Sequence, residues 1–180
     1  MTTGAALHAG QPRQGDLALL ETDLAREMLH AAIPARLAYV STDGTPRVVP
    51  TWFHWNGTEI VMVTFVAGPA IGIRHPAARL AALRANPAVA LTIDTEQFPP
   101  KSVTIRGRAQ ISEVAGVADE YAAAAHRYLG PEAAAAMLAG LDQPGTVQAR
   151  IAVQPTWVGL LDFVTRLPSP QGGIIAAAGS

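Results

Sequence analysis

Between residues 36 and 111, apolar and polar positions alternate in five short runs, at 36–41, 47–55, 59–64, 88–95 and 102–111. Successive side chains of a strand point to opposite faces, so a period of two marks strands with one buried face and one open face. The alternation is cleanest in the fifth run, where Val103, Ile105, Gly107, Ala109 and Ile111 oppose Thr104, Arg106, Arg108 and Gln110. The polar side of that strand is therefore wet or lines an interface. Asp43-Gly44 and Asn56-Gly57 supply the positive-φ residues that tight hairpin turns need, which predicts a meander of the first three strands. Residues 147–155 and 157–163 read as closing strands.

Elsewhere the period changes. Leu20, Leu24 and Met28 recur at a spacing of four, with Thr22 and Asp23 suited to a helix start and Pro34 as the limit beyond its end. After Thr64 comes a loop over 65–74 punctuated by Gly68, Pro69 and Gly72. His75-Pro76 then opens a helix that ends near Asn86-Pro87. Residues 117–140 are rich in alanine and split by Gly130-Pro131, which predicts two short helices joined by a turn. Residues 1–15 and 168–180 are small and turn-prone without periodicity and read as flexible tails, leaving a single domain over 16–165. Six or seven short strands with one long helical insertion predict a mainly β fold, a small antiparallel barrel with peripheral helices. A doubly wound sheet would need a helix between most strands. Gly68 and Gly72 do not form G-x-G-x-x-G, and no G-x-x-x-x-G-K-[ST] occurs.

Apolar residues make up 49% of the 180 and charged residues 15%, a lean surface for a monomer, so a homodimer is expected. The formal net charge of −1 and the lack of a Lys/Arg block remove the field that draws a nucleic-acid backbone. No nucleic acid is expected as a partner. The chain has no cysteine, which excludes disulfides and thiol nucleophiles and suits a cytoplasmic protein. Its apolar stretches are interrupted by Pro34, Arg36 or Gly68, and no basic-then-apolar leader opens it, so a soluble protein with no membrane span is expected.

Catalytic motifs are sparse. His8, His30, His54, His75 and His126 have no H-x-H or H-E-x-x-H spacing, so no metal site is expected. Asp94 with Glu96 and Asp119 with Glu120 lie beside turn or helix-start signals and read as solvated caps. Nothing resembles G-x-S-x-G. Trp52, Trp55 and Trp157 read first as core anchors, and Arg79 and Arg84 as the exposed face of a helix.

The segment 36–53, with its Asp43-Gly44 turn and its Val49-Pro50-Thr51-Trp52 stretch, is followed by 60–64 ending in Val63-Thr64 and by 83–94 around Asn86-Pro87. In that order they resemble the pyridoxamine 5′-phosphate oxidase-like family of flavin-binding split barrels, which includes reductases dependent on the deazaflavin F420. Arg106-Gly107-Arg108 and the stretch from Pro155-Thr156-Trp157 to Asp162-Phe163 continue the similarity, which covers roughly residues 20–165. The resemblance implies a homodimer with the cofactor at the subunit interface. By position, Val49, Pro50, Thr51 and Trp52 would flank the isoalloxazine ring, and Val63 and Thr64 would lie beside its phosphate with the Thr64 hydroxyl bonded to it. Arg79, followed by Leu80, takes the place where many relatives have a phosphate-binding lysine, and a guanidinium serves phosphate well through paired hydrogen bonds. Two departures accompany this: Ala82 stands where relatives often have Asn, and the 65–74 loop is long, which makes Arg74 a rival phosphate ligand. Trp157 would approach the partner's cofactor. The implied activity is hydride transfer through FMN to an unidentified small-molecule substrate. The alternatives are an F420-dependent reductase or a non-catalytic carrier of flavin or haem.

Overall fold

A computed structural model describes residues 12–72 and 77–167. The expected tails at 1–11 and 168–180, the helix opening at His75-Pro76 and the candidate Arg74 lie outside the described residues. The first ordered helix, α1 (Asp23–His30), starts where the sequence places it. The Thr22 side chain accepts a hydrogen bond from the Ala25 backbone N–H, relieving one of the unpaired donors at a helix start. Leu20 belongs to a preceding turn of 3-10 helix at Leu17–Glu21, while Met28 and Leu29 of α1 reach the core.

The strands are β1 (Ala35–Val40), β2 (Pro46–Thr51), β3 (His54–Trp55), β4 (Ile60–Ala67), β5 (Ala88–Asp94), β6 (Ser102–Ala115) and β7 (Val147–Leu161). They form one seven-stranded sheet in the order β2-β1-β5-β6-β7-β4-β3, with every neighbouring pair antiparallel. β2 and β3 sit at opposite ends of that order, yet only Trp52 and Phe53 separate them in the chain. Three virtual Cα–Cα bonds span at most about 11 Å, so the sheet must curl until its two edges almost meet. The result is a barrel with an unpaired seam, a split barrel.

The interior is closed by residues alternating along the strands, among them Leu37, Ile60, Met62, Leu91, Ile93, Val103, Ile105, Ile151, Val158 and Leu160. Phe53, at the seam, is 0% exposed. One end of the barrel is covered by α1 and its preceding turn. α2 (Ala78–Ala85) inserts Leu80 and Leu83 into the core and packs on β1 and β6. α3 (Asp119–Leu129) and α4 (Pro131–Leu141) break at Gly130-Pro131 as expected. Gly130 sits at φ +80°, a conformation only glycine adopts freely, and Pro131 opens the second helix without needing its missing N–H.

Five expectations need correction. The run 47–55 is not one strand: it breaks at Trp52-Phe53, where the chain crosses from one sheet edge to the other. The Asn56-Gly57 turn consequently joins β3 to β4, and β4 pairs with β7, so the first three runs do not form a meander. The loop expected from residue 65 begins later, because β4 continues to Ala67 and is followed by a 3-10 turn at Pro69–Ile71. The two closing strands are one 15-residue strand. Its Pro155 lies opposite Gly107 where the register with β6 slips by a residue, Arg106 facing Trp157 and Gly107 facing Pro155. Thr156 is the extra residue, and its hydroxyl donates to the Arg106 carbonyl at 3.2 Å. A proline is tolerated at such a bulge. Gly107 is required there, since a Cβ would fall 2.3 Å from the Gln154 carbonyl oxygen. Within the stretch read as tail, residues 12–15 are seated on β7: the Gln14 amide bonds both ways with the Leu160 backbone, and Gly15 N–H donates to the Val158 carbonyl at 2.7 Å.

Candidate functional site

The break between β2 and β3 is held open from one side by α3. Tyr121 and Tyr128 lie seven residues apart and so share a helix face. Tyr128 stacks on Trp52 with centroids 4.9 Å apart and planes 8° apart, while Tyr121 tilts against Trp52 at 6.4 Å and meets Phe65 edge-on at 5.6 Å. Between them Arg127 donates to the Leu29 carbonyl at 3.2 Å, to the Phe53 carbonyl and to the Tyr128 hydroxyl at 3.1 Å. Its guanidinium lies 4.4 Å over the Phe53 ring and 4.8 Å over that of Tyr128. Tyr128 in turn donates to the Ile33 carbonyl at 3.0 Å. One helix thereby ties the end of α1, the chain entering β1 and the seam to a single point.

The space left beside this cluster is a cavity of about 440 Å³ lined by Pro34, Pro50, Thr51, Trp52, Val63 and Tyr121. A larger trough of about 920 Å³ shares Pro34 and Pro50 with it and carries Glu27, Glu96 and the Arg36–Asp94 ion pair, closed at 2.7 Å. The Thr51 hydroxyl donates to the Trp52 carbonyl at 3.1 Å. His54 follows on β3. Burial and then the Arg127 charge push its imidazole below its ordinary 6.5, against the pull of Glu120, so it is neutral at neutral pH.

The sequence-derived site residues fall in three places. Pro50, Thr51, Trp52 and Val63 meet in the cavity, while Val49, their neighbour on β2, faces the other way and packs against the core. Thr64, half-buried, follows Val63 on β4, opposite Ala149 of β7. Arg79 and Leu80 are together on α2, but Leu80 is 1% exposed in the core, whereas Arg79 is half-buried near Tyr39. Its Nε is buried with no hydrogen-bond partner among the described residues, and none of its other nitrogens is bonded or ion-paired to a described residue. Burial pulls the Arg79 pKa down, only partly offset by Tyr39. No described hydrogen bond links Arg79 to Thr64. Trp157 lies apart from both, on the outward face of β7. Arg106 stacks over it at 4.1 Å, and Gly15 and Gly159 leave room for its ring, since a Cβ on either would come within 3 Å of it.

Sequence reasoning passed over α3. Tyr121 and Tyr128 at a spacing of seven were the available signal. Glu120, expected to be a solvated cap, is instead bonded to Arg150 of β7 through Arg150 Nε at 2.8 Å. Burial raises its carboxyl, but the Arg150 hydrogen bond, its own backbone N–H and the charges of Arg150 and His54 together hold it below the ordinary 4.5. Asp94 is likewise ion-paired, to Arg36.

Comparison with known proteins gives the family. A family model described as pyridoxamine 5′-phosphate oxidase matches residues 21–161. Among solved structures, one described as an F420 reductase aligns with a TM-score of 0.54 and 24% identity, covering 74% of this chain and 94% of that one. A conserved hypothetical protein from Mycobacterium tuberculosis aligns with a TM-score of 0.57 and 16% identity over 86% and 90% of the two chains. A haem-binding protein from Mycobacterium smegmatis aligns with a TM-score of 0.51 and 20% identity over 81% of this chain and 55% of its own. At these identities the likeness is one of fold. No curated protein sequence matches the chain significantly.

Proposed function

The chain belongs to the pyridoxamine 5′-phosphate oxidase family, and on that footing we propose that it is a flavin-dependent oxidoreductase acting as a homodimer, with FMN as cofactor and F420 as the alternative. The observation that carries this reading is Arg79. Arg79 is half-buried with its Nε out of water and unmatched, and its remaining nitrogens have no described partner, an arrangement that suits an anion bound across the guanidinium. A phosphate fits the requirement, because its oxygens accept several charge-assisted hydrogen bonds from one guanidinium. The donor chemistry therefore suits the phosphate of FMN. F420 carries in addition a polyglutamate tail that would benefit from further cations.

In this reading Arg79 holds the phosphate, with Thr64 as a neutral donor; Pro50, Thr51, Trp52 and Val63 line the space for the ring, and Val49 and Leu80 support it from the core side. When bound, a flavin supplies hydride transfer to or from a small molecule, which suits a cavity whose lining offers no nucleophile and base pair. The chain's own task is to orient the ring and keep water from it. The Trp52–Tyr128 stack and the Arg127 bonds fix the backbone at residues 52–53 for that purpose. The homodimer would use the outward sheet face, where Val48 is 65% exposed and the Arg106–Trp157 stack stands.

The test is equilibrium binding of FMN, F420 and haem to the purified full chain, with sedimentation to fix the oligomeric state. Reduction by NAD(P)H, or by an F420 dehydrogenase for F420, and reoxidation by quinones or enones then follow. The expected result is a dimer binding about one FMN per chain, with affinity falling at least about tenfold in Arg79→Ala. Binding of haem alone, or flavin binding indifferent to Arg79→Ala, overturns it.

A further inference from the structure

Beyond Val153, where β4 stops pairing with it, β7 has no strand along that edge among the described residues. Residues 12–15 take the vacant place. The Gln14 side-chain amide donates to the Leu160 carbonyl and its oxygen accepts from the Leu160 N–H at 2.8 Å. The Gly15 N–H donates to the Val158 carbonyl at 2.7 Å, and Arg166, 7% exposed, donates to the Pro12 carbonyl at 3.2 Å. Any such segment would close an open edge, but this one also makes a seat for the Trp157 indole. A Cβ on Gly15 would lie 2.8 Å from the ring nitrogen, and a Cβ on Gly159 would lie 2.5 Å from the far end of the ring. Gly15 is at φ +98°, whereas Gly159 has no positive φ, so at Gly159 it is the ring that excludes a side chain. Arg106, the cross-strand neighbour of Trp157, covers the ring at 4.1 Å. The indole is thus held by two residues without side chains and by a guanidinium, yet it stays outside the core and only half-buried.

We propose that residues 12–15 are a strap that positions Trp157 as the anchor of a contact with a second copy of this chain, Gly15 acting on that contact through the indole. The inference rests on the homodimer reading and adds to it the anchoring residue and the segment that holds it. The outward sheet face on which Trp157 stands is open, with Val40 and Val48 38% and 65% exposed. It also carries charge of both signs. Arg106 and Arg108 of β6 have no ion pair to a described residue, and neither has Glu96, which lines the trough on the same face. A face with unpaired charge of both signs can complement a copy of itself turned about a two-fold axis. In such a contact the same patch is used twice, so one anchor per chain acts at two points. A large aromatic with a guanidinium beside it is the combination that most often carries interface energy. Because the strap fixes the ring in the free chain, association has less side-chain freedom to remove.

The experiment is sedimentation equilibrium of the full chain over a dilution series, for wild type, Gly15→Ala, Trp157→Ala and the double variant. Gly15→Ala places a methyl where the indole lies and is expected to raise the dimer dissociation constant at least about tenfold, with Trp157→Ala raising it by as much or more. The double variant is expected to match Trp157→Ala, because without the ring the strap has nothing to position. A strap that only stabilised the fold would not show this coupling. If Gly15→Ala fails to fold, Gln14→Ala loosens the strap without a clash. It is expected to weaken the dimer about threefold, and to have no effect once Trp157 is alanine. A dissociation constant unchanged by the strap variant overturns the proposal, as does a double variant in which the two effects simply multiply. Both of those results leave the homodimer standing. A wild-type chain that stays monomeric at every concentration removes the homodimer reading and this contact with it.

Discussion

Arg127 and Arg79 are both half-buried guanidinium groups whose Nε meets no described acceptor, and they are used in opposite ways. Arg127 bonds two backbone carbonyls and a phenol and lies over two aromatic faces, so its charge is matched by the fold itself. Arg79 has burial without matching bonds among the described residues, and its pKa is drawn down in consequence. A cation satisfied within the fold is a structural clamp, whereas an unsatisfied one lowers stability until something from outside completes it. The same residue type thus marks the rigid frame in one place and a ligand position in another, and burial alone does not distinguish them.

The largest effect is expected at the clamp. Arg127→Ala removes three hydrogen bonds and exposes the seam, and should cost about 3 kcal/mol, a fall of about 10 °C in melting temperature for a chain of this size. Arg127→Lys should recover little, since one ammonium on a flexible stem does not reproduce a planar fork between the Leu29 and Phe53 carbonyls. Melting within a degree or two of wild type would erase the contrast. Glu120→Gln comes next. Its carboxylate titrates below 4.5 in the folded chain, so its contribution is present above that pH and disappears as pH falls through the folded value. Thermal melts should show a loss of about 3 °C at neutral pH, and the gap from wild type should close in acid; a gap that widens in acid would contradict the assignment. Arg79→Met is expected to change stability least, by under about 1 kcal/mol and in the stabilising direction, because it removes an unmatched buried charge. Flavin added at the same excess should then raise the melting temperature of wild type more than that of this variant. A large destabilisation by Arg79→Met would make it a second clamp.

What the sequence made legible was local. Thr22 as a cap, Asp43-Gly44 and Asn56-Gly57 as turns, Asn86-Pro87 as a helix end and Gly130-Pro131 as a helix break all depend on a few adjacent residues, and each stands where it was read. The alternating face of β6 is also as expected, Val103 and Ile105 being fully buried while Arg106 and Arg108 are exposed. The errors came where distant parts of the chain decide. Residues 47–55 read as one strand-like run, and it is the need to span from one sheet edge to the other that breaks them at Trp52-Phe53. Pro155 reads as a strand break until Gly107 is seen opposite it. Of the candidate site, the half carried by β2 and β4 was legible through motif order. Val49 and Leu80 took the same signal and belong to the core side, because neighbours in sequence on a strand or helix face different ways. Tyr121, Arg127 and Tyr128 went unread, since an alanine-rich helix gives no hint of which element it will cover.

β7 pairs along its whole length with β6 and, over its first half, with β4, and among the described residues β4 has no strand neighbour apart from β7 and the two residues of β3. During synthesis the ribosome therefore delivers β1, β2, β5 and β6 as a sheet that can zip early, while the β3–β4 hairpin waits, tethered and unmatched, for a strand some eighty residues downstream. Closure of the cylinder is then the late, entropically demanding event expected of a high-contact-order topology, and a nascent chain stalled before residue 147 would display the lone edge of β4 as a template for other chains.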